Sequence, residues 1–277
     1  MLKQIAYLMR LDKPVGILLL LFPTIWGLWL ASDGMPDLTI FFIFIIGVVL
    51  MRSAGCIMND IADRHIDPHV KRTRLRPLAA KKIDIKIAIL VFLVLVTLAF
   101  CLIQPLNAFT IQLSFIGLAL TIIYPFLKRI THLPQVGLGL AFAFGVPMSF
   151  AAIQESIPLK AWVLYAAAVV WPIIYDTQYA MVDREDDKKI GVKSTAILFG
   201  DRDIMMITLL QGLFILLLLC VGLLFHLRAP FYIALLWVTL CFSYQFLLIR
   251  SRNSDAYFSA FKNNQWVGLI ILLGCML

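Results

Sequence analysis

Apolar runs of about 20 residues follow one another from end to end of this 277-residue chain. A helix of about that length crosses the hydrocarbon core of a bilayer. Backbone groups in lipid must satisfy one another, so a spanning run is a helix or a closed barrel. The residue-by-residue alternation of a membrane barrel is absent. The predicted spans lie at roughly 15–31, 39–58, 86–103, 107–125, 134–153, 160–182, 204–225, 230–249 and 265–277. Only 14% of the residues are charged, where a soluble domain carries about 25%. The chain reads as an all-α polytopic membrane protein with about nine transmembrane helices.

The ends of this pattern are less regular. The first run has no small-x-small cleavage site before its polar loop, so it reads as a span rather than a signal peptide. The last predicted span, from Gln265 to Leu277, has thirteen residues and is short for a crossing. The five cysteines form no metal-type pair and read as reduced and structural.

The net charge of +8 belongs to topology rather than to nucleic acid. Of the 24 Lys and Arg residues, 21 fall in loops on the N-terminal side, two (Lys160 and Arg228) on the other, and Arg52 lies inside a span. Basic loops stay in the cytoplasm, which predicts a cytoplasmic N-terminus. Arg74, Arg76, Lys81, Lys82 and Lys86 read as topological charges, and His65, His69 and His132 as interfacial polar residues.

Against this background the acid is concentrated in two places. The first is Asn59-Asp60-Ile61-Ala62-Asp63-Arg64-His65-Ile66-Asp67, and the second is Asp183-Arg184-Glu185-Asp186-Asp187. Both contain Asp-Arg-x-x-Asp where an apolar run meets a basic loop. The basic residues Lys71, Arg72 and Lys188, Lys189 follow the two copies. This weak repeat predicts one domain, 1–277, of two related halves, roughly 1–133 and 134–277.

Helical spacing extends each motif inward. Arg52, Asn59, Asp63 and Asp67 share one face of a helix, with Pro68 setting Asp67 at its end. Asp176, Tyr179, Asp183 and Asp187 share a face of another. Ionisable groups inside spans are costly and normally face a cavity or a partner. Carboxylates converging on one cavity repel one another unless a cation intervenes. Asp and Asn oxygens suit Mg²⁺, which completes its shell with water and phosphate oxygens. Basic residues beside the same mouth, Lys128 and Arg129 among them, complete the description of a diphosphate site.

These residues resemble the UbiA family of intramembrane aromatic prenyltransferases. The family pattern NDxxDxxxD is met by Asn59, Asp60, Asp63 and Asp67, and its second DxxxD by Asp183 and Asp187. The stretches MRSAGCIMNDIADRHIDPHVKRT, YPFLKRITHLPQVGLG and YDTQYAMVDREDDKKIGVKSTAILFG are similar to the members of the ubiquinone pathway, over nearly the whole chain. The resemblance implies a bundle of nine spans around a central cavity open to the cytoplasmic side and to lipid. It also implies Mg²⁺-dependent transfer of a polyprenyl group from polyprenyl diphosphate to 4-hydroxybenzoate, ortho to its hydroxyl. Bilayer and substrates are the implied partners, with no obligate protein partner, and a bacterial inner membrane is the implied location.

On that reading Asn59, Asp63, Asp67, Asp183 and Asp187 hold the metal. Lys128 and Arg129 contact the diphosphate, with Arg64, Arg72 and Lys188 as further candidates. The rings of Tyr124, Tyr175 and Tyr179 are candidates to face the allylic cation. Arg52 takes the benzoate carboxylate in a bidentate fork, and Asp176 orients the phenol or helps take its proton. Two other roles stand beside these: Arg52 paired internally with Asp176 or Asp60, and, for the whole chain, a secondary transporter. A transporter's charges belong at the midplane, whereas these acids cluster at one face. A phosphatidyltransferase is excluded by the lack of a DGxxAR-type motif.

Overall fold

The computed structural model describes all residues, Met1–Leu277, and contains helices and no strands. The helices are α1 Leu2–Leu8, α2 Val15–Ala31, α3 Leu38–Asp63, α4 Ile85–Leu102, α5 Ala108–Ile123, α6 Leu127–Ile130 and α7 Pro134–Phe142. They continue with α8 Gly145–Gln154, α9 Leu159–Ile190, α10 Thr195–Phe199, α11 Asp203–Leu224, α12 Ala229–Arg250 and α13 Ser254–Met276. Seven helical stretches are long and apolar enough to cross a membrane, and the 17-residue α2 is a shorter apolar helix. With the 23-residue α13 the bundle has the nine crossings expected.

Local chemistry sets the helix starts. Asp37 caps α3 by accepting from Thr39 N at 2.8 Å and Ile40 N at 3.2 Å, which satisfies donors that a helix start leaves free. Asn107 caps α5 and Asn253 caps α13 in the same way. The fifth span is broken between α7 and α8, and α7 packs closely on α9: a Cβ on Gly139 would lie 2.6 Å from the Val169 carbonyl oxygen.

Three boundaries differ from expectation. The final helix begins at Ser254, eleven residues before Gln265, and is about 34 Å long at 1.5 Å per residue, enough to cross. Its first half is polar in sequence, yet Asn264 is fully buried and bonds to neighbouring helices, so hydropathy alone begins the helix too late. Helix α9 runs on to Gly191, whose positive φ of 72° ends it, so Asp187 is helical. Helix α3 stops at Asp63, so Asp67 stands on a short 3₁₀ turn, Asp67–His69, beyond a break. Pro68 disfavours α geometry at Asp67, and the helix yields four residues earlier.

The main core is built by α2, α8, α9, α11, α12 and α13 around Trp26, Trp171, Phe150, Phe214 and Phe231, all fully buried. A smaller cluster, including Leu8, Ile57 and Phe92, packs α1 and α4 on α3. Leu90, Leu93, Leu236, Trp237 and Leu240 stay exposed on the outside, where lipid rather than water is the solvent. The two motif helices, α3 and α9, both line one cavity.

Candidate active site

The cavity has a volume of about 760 Å³ and is lined by both motif helices. Helix α3 contributes Arg52, Cys56, Asn59 and Asp63, and the 3₁₀ turn adds Asp67. Helix α9 contributes Tyr175, Asp176, Tyr179, Asp183 and Asp187. Of the other expected residues, Arg72, Tyr124 and Lys128 also line it. The two helical columns read from the spacing therefore do converge.

At the rim three of the acids are met by bases. Lys128 Nζ pairs with Asp63, which is almost fully buried. Arg76 Nη1 lies 3.0 and 2.8 Å from the two oxygens of Asp67. Arg72 Nε donates at 3.0 Å to both oxygens of Asp183, and its guanidinium also reaches the Tyr179 hydroxyl. These pairs bridge segments distant in sequence. The loop after α3 is tied to α9 by Arg72 and by Lys71 N, which donates to Asp186 at 3.1 Å. The loop after α9 is tied to α6 through Lys193 N, 3.0 Å from the Lys128 carbonyl.

Charge balance at the rim depends on these neighbours. Burial works against the charge on Arg76, but Asp60 and Asp67 more than offset it, and the guanidinium is held above its ordinary value. Burial lowers Lys13, helped by the charge of Arg10 and opposed by Asp12.

The metal expectation can be tested on the donors. No three acidic, His or Cys side chains converge tightly enough to form a cage on their own. Open donors are nevertheless present. The buried Asp63 Oδ1 has no hydrogen-bond partner, and Asn59 turns its amide nitrogen to the other Asp63 oxygen at 3.1 Å, leaving its own oxygen free. Asp187 lines the same space. Such a set fits Mg²⁺, which takes one or two carboxylates and completes its shell with water and phosphate oxygens.

Arg52 is the only arginine of helix α3. It is on the cavity wall with no carboxylate within ion-pair distance, so pairing with Asp176 or Asp60 is not realised. Asp60 turns away from the cavity to Arg10, at 2.5 Å, and to Arg76, at 3.4 Å. Arg52 Nε instead donates to the Gly16 carbonyl at 3.2 Å, Nη1 touches Cys56 Sγ, and Nη2 has no acceptor in the protein. The expected fork is thus closed on its Nε edge.

Three expected diphosphate contacts are not brought to the cavity. Arg64 is exposed and donates to the Ile61 carbonyl at 3.1 Å. Arg129 donates to the Ala62 carbonyl and lies over the Phe126 ring. Lys188 is half-exposed, 3.4 Å from Glu185. Each sits one helical step off the inward face. Conversely, Arg76 lines the cavity although it read as topological, as do Arg10, Lys13, Gln135, Lys193 and Lys262. Arg10, Lys13, Arg76 and Lys193 lie outside helices, where no periodicity could single them out, while Gln135 and Lys262 are helical but belong to neither motif.

The sequence profile of the UbiA prenyltransferase family matches residues 20–269. The chain belongs to the UbiA prenyltransferase family. It is 53% identical over 270 residues to a 4-hydroxybenzoate octaprenyltransferase of Coxiella burnetii, covering 98% of this chain and 94% of that one. It is 54% identical over 270 residues to the protein of that name from Ectopseudomonas mendocina, at 98% and 91% coverage. Among solved structures, the apo UbiA homologue of Aeropyrum pernix K1 superposes with a TM-score of 0.82 at 24% identity, covering 96% of this chain and 97% of that one. A UbiA homologue of Archaeoglobus fulgidus bound to GPP and Mg²⁺ does so with 0.76 at 17%, covering 99% of each. Those identities speak for the UbiA fold.

Proposed function

We propose that this UbiA protein transfers a polyprenyl group from polyprenyl diphosphate to the ring carbon of 4-hydroxybenzoate ortho to its hydroxyl. The products are 3-polyprenyl-4-hydroxybenzoate and diphosphate, in ubiquinone biosynthesis. Relatives 52–54% identical over nearly the full chain carry the name 4-hydroxybenzoate octaprenyltransferase. The observation that carries the reading in this chain is Arg52: a cavity-wall arginine without an acid partner calls for an anionic ligand.

The reaction breaks the allylic C–O bond, forms a C–C bond and releases a ring proton. Asn59, Asp63, Asp183 and Asp187 are the residues to hold Mg²⁺, with Asp67 at the same rim. Bound there, the metal neutralises charge developing on the leaving diphosphate. Lys128 and Arg72 are the cations to meet the diphosphate, with Arg76 and Lys13 behind them. The Tyr179 ring lies 4.7 Å from Phe261, which stacks with Phe258 at 6.0 Å. These rings line the route inward and suit an allylic cation held away from water. The acceptor's carboxylate goes to Arg52, which turns its phenol end toward the rim. Asp176 is the group to orient the phenol hydroxyl or take the proton.

In the cell this is a multi-pass protein of the bacterial inner membrane with its rim on the cytoplasmic side, as the 21 basic residues of one loop set favour. It forms a single unit of two related halves, each giving one motif helix. The deciding experiment incubates the purified protein with Mg²⁺, a prenyl diphosphate and a panel of aromatic acceptors, and reads product masses. A prenylated 4-hydroxybenzoate is expected. Product only from a naphthoate or a homogentisate would move the reading to another acceptor, and no prenylated product would end it.

A further inference from the structure

Five buried side-chain polar atoms lack a partner: Ser53 Oγ, Asp60 Oδ2, Asp63 Oδ1, Tyr175 Oη and Arg184 Nε. Only Asp63 and Tyr175 among them belong to residues that line the cavity. A buried polar group left unpaired is destabilising, so each invites a ligand. The Asp63 oxygen is at the rim with the other metal donors. Tyr175 is elsewhere.

Helices α3 and α9 both run inward from the rim, and the helical rise sets depth along them. Arg52 is seven residues inward of Asn59, and Tyr175 eight residues inward of Asp183. At 1.5 Å per residue these are depths of about 10.5 and 12 Å. The two residues thus lie at a similar depth beneath the rim cations, and both line the cavity. The Tyr175 ring is fixed by edge contacts with Trp171 at 5.5 Å and Phe261 at 6.0 Å, and the residue is 2% exposed. Its hydroxyl is held in place while lacking an acceptor.

Arg52 cannot serve a carboxylate alone as a side-on fork. Gly16 takes its Nε and Cys56 a share of Nη1, which leaves Nη2 free. A carboxylate has two oxygens and needs a second donor. We infer that the Tyr175 hydroxyl is that donor: it hydrogen-bonds one carboxylate oxygen of the aromatic acceptor while Arg52 holds the other. The pair then selects a benzoate over a neutral phenol and aims the carbon ortho to the hydroxyl at the rim. This rests on the acceptor reading above.

The test compares wild type, Tyr175→Phe and Arg52→Ala with a prenyl diphosphate, Mg²⁺ and two acceptors, 4-hydroxybenzoate and its neutral amide. A hydrogen bond to a charged group is worth about 1.5–3 kcal/mol. Tyr175→Phe is therefore expected to raise KM for the acid about 10- to 100-fold, to narrow the preference for acid over amide by a similar factor, and to leave KM for the diphosphate unchanged. An unchanged KM for the acid, or an equal rise for acid and amide, overturns the assignment. If Tyr175→Phe does not accumulate, 3-fluorotyrosine at position 175, a stronger donor, is expected to lower KM for the acid, and no change overturns it. The parent reading fails separately, if wild type makes no product from 4-hydroxybenzoate or if Arg52→Ala leaves the acid-over-amide preference untouched.

Discussion

Arg72 Nε lies 3.0 Å from both carboxylate oxygens of Asp183, and the Arg72 guanidinium stands 4.2 Å over the Tyr179 ring. One is a cation suited to diphosphate and the other a carboxylate suited to Mg²⁺, and without ligands they neutralise each other. Lys128 and Asp63 repeat the arrangement across the rim. Metal and diphosphate must therefore bind together, each releasing the partner the other needs. Binding linkage is reciprocal, so a prenyl diphosphate is expected to tighten Mn²⁺ binding, read by electron paramagnetic resonance. In Arg72→Ala that coupling shrinks, Mn²⁺ alone binds at least as well as to wild type, and KM for the diphosphate rises at least about tenfold, from a lost charge-assisted bond. A coupling as large as in wild type would refute the exchange.

Gly16 admits the Arg52 guanidinium. A Cβ at Gly16 would lie 2.5 Å from Nη2, 2.9 Å from Nε and 3.1 Å from Cζ. The obstructed atoms are the tip of a flexible chain, so Gly16→Ala is expected to shift Arg52 without unfolding the bundle. The lost bond to the Gly16 carbonyl is worth about 1 kcal/mol. The acceptor's KM should rise about fivefold while the melting temperature and the diphosphate KM hold. A KM unmoved by the alanine would show that Arg52 does not depend on this contact.

Lys13 gives the rim a pH dependence. Burial lowers its pKa below 10.5, the charges of Arg10, Arg72 and Arg76 lower it further, and Asp12 opposes them. Between the lowered folded value and 10.5 the unfolded chain binds more protons than the folded one, so stability rises with pH through that window. Lys13→Gln is expected to flatten that rise in thermal scans of the ligand-free protein. The same variant should weaken prenyl diphosphate binding several-fold, because it removes a cation from the cavity wall. A rise of unaltered slope in the glutamine variant would assign the effect to another group.

Much of the site was legible because helical period converts spacing into direction. Arg52, Asn59 and Asp63 on one helix, and Asp176, Tyr179, Asp183 and Asp187 on the other, were placed by counting alone, and all line the cavity. Counting failed where the helix did. Asp67 still reaches the cavity, but from a 3₁₀ turn that the period cannot describe. Arg76 and Lys13 lie in loops, where a basic residue at the membrane surface reads equally as topology. Which cation meets which acid is a tertiary fact, as with Arg72 and Asp183, 111 residues apart. The start of α13 was missed for a related reason: Asn263 and Asn264 are polar in sequence yet serve the interior.

Those two asparagines belong to an amide network that joins four helices. Gln245 Oε1 on α12 accepts from Gln178 on α9 at 2.9 Å and from Gln211 on α11 at 3.1 Å, and its Nε2 donates to Asn263 on α13 at 2.9 Å. Asn264 continues the chain, donating to Gln178 at 3.0 Å and accepting from Trp171 Nε1 at 3.0 Å. Gln178 neighbours Tyr179 and Trp171 supports the Tyr175 ring, so the network fixes the inner wall of the cavity. Gln245→Leu leaves the buried amides of Gln178 and Gln211 without their shared acceptor. Bonds of this kind inside membranes are worth about 0.6 kcal/mol on average, while unpaired buried donors cost about 1–3 kcal/mol. The leucine variant is therefore expected to lose about 1–3 kcal/mol, seen as a lower melting temperature in detergent. Ser243→Ala, at an exposed site on the same helix, should be silent in the same scan. Equal melting of Gln245→Leu and wild type would mean that the network is dispensable to the bundle.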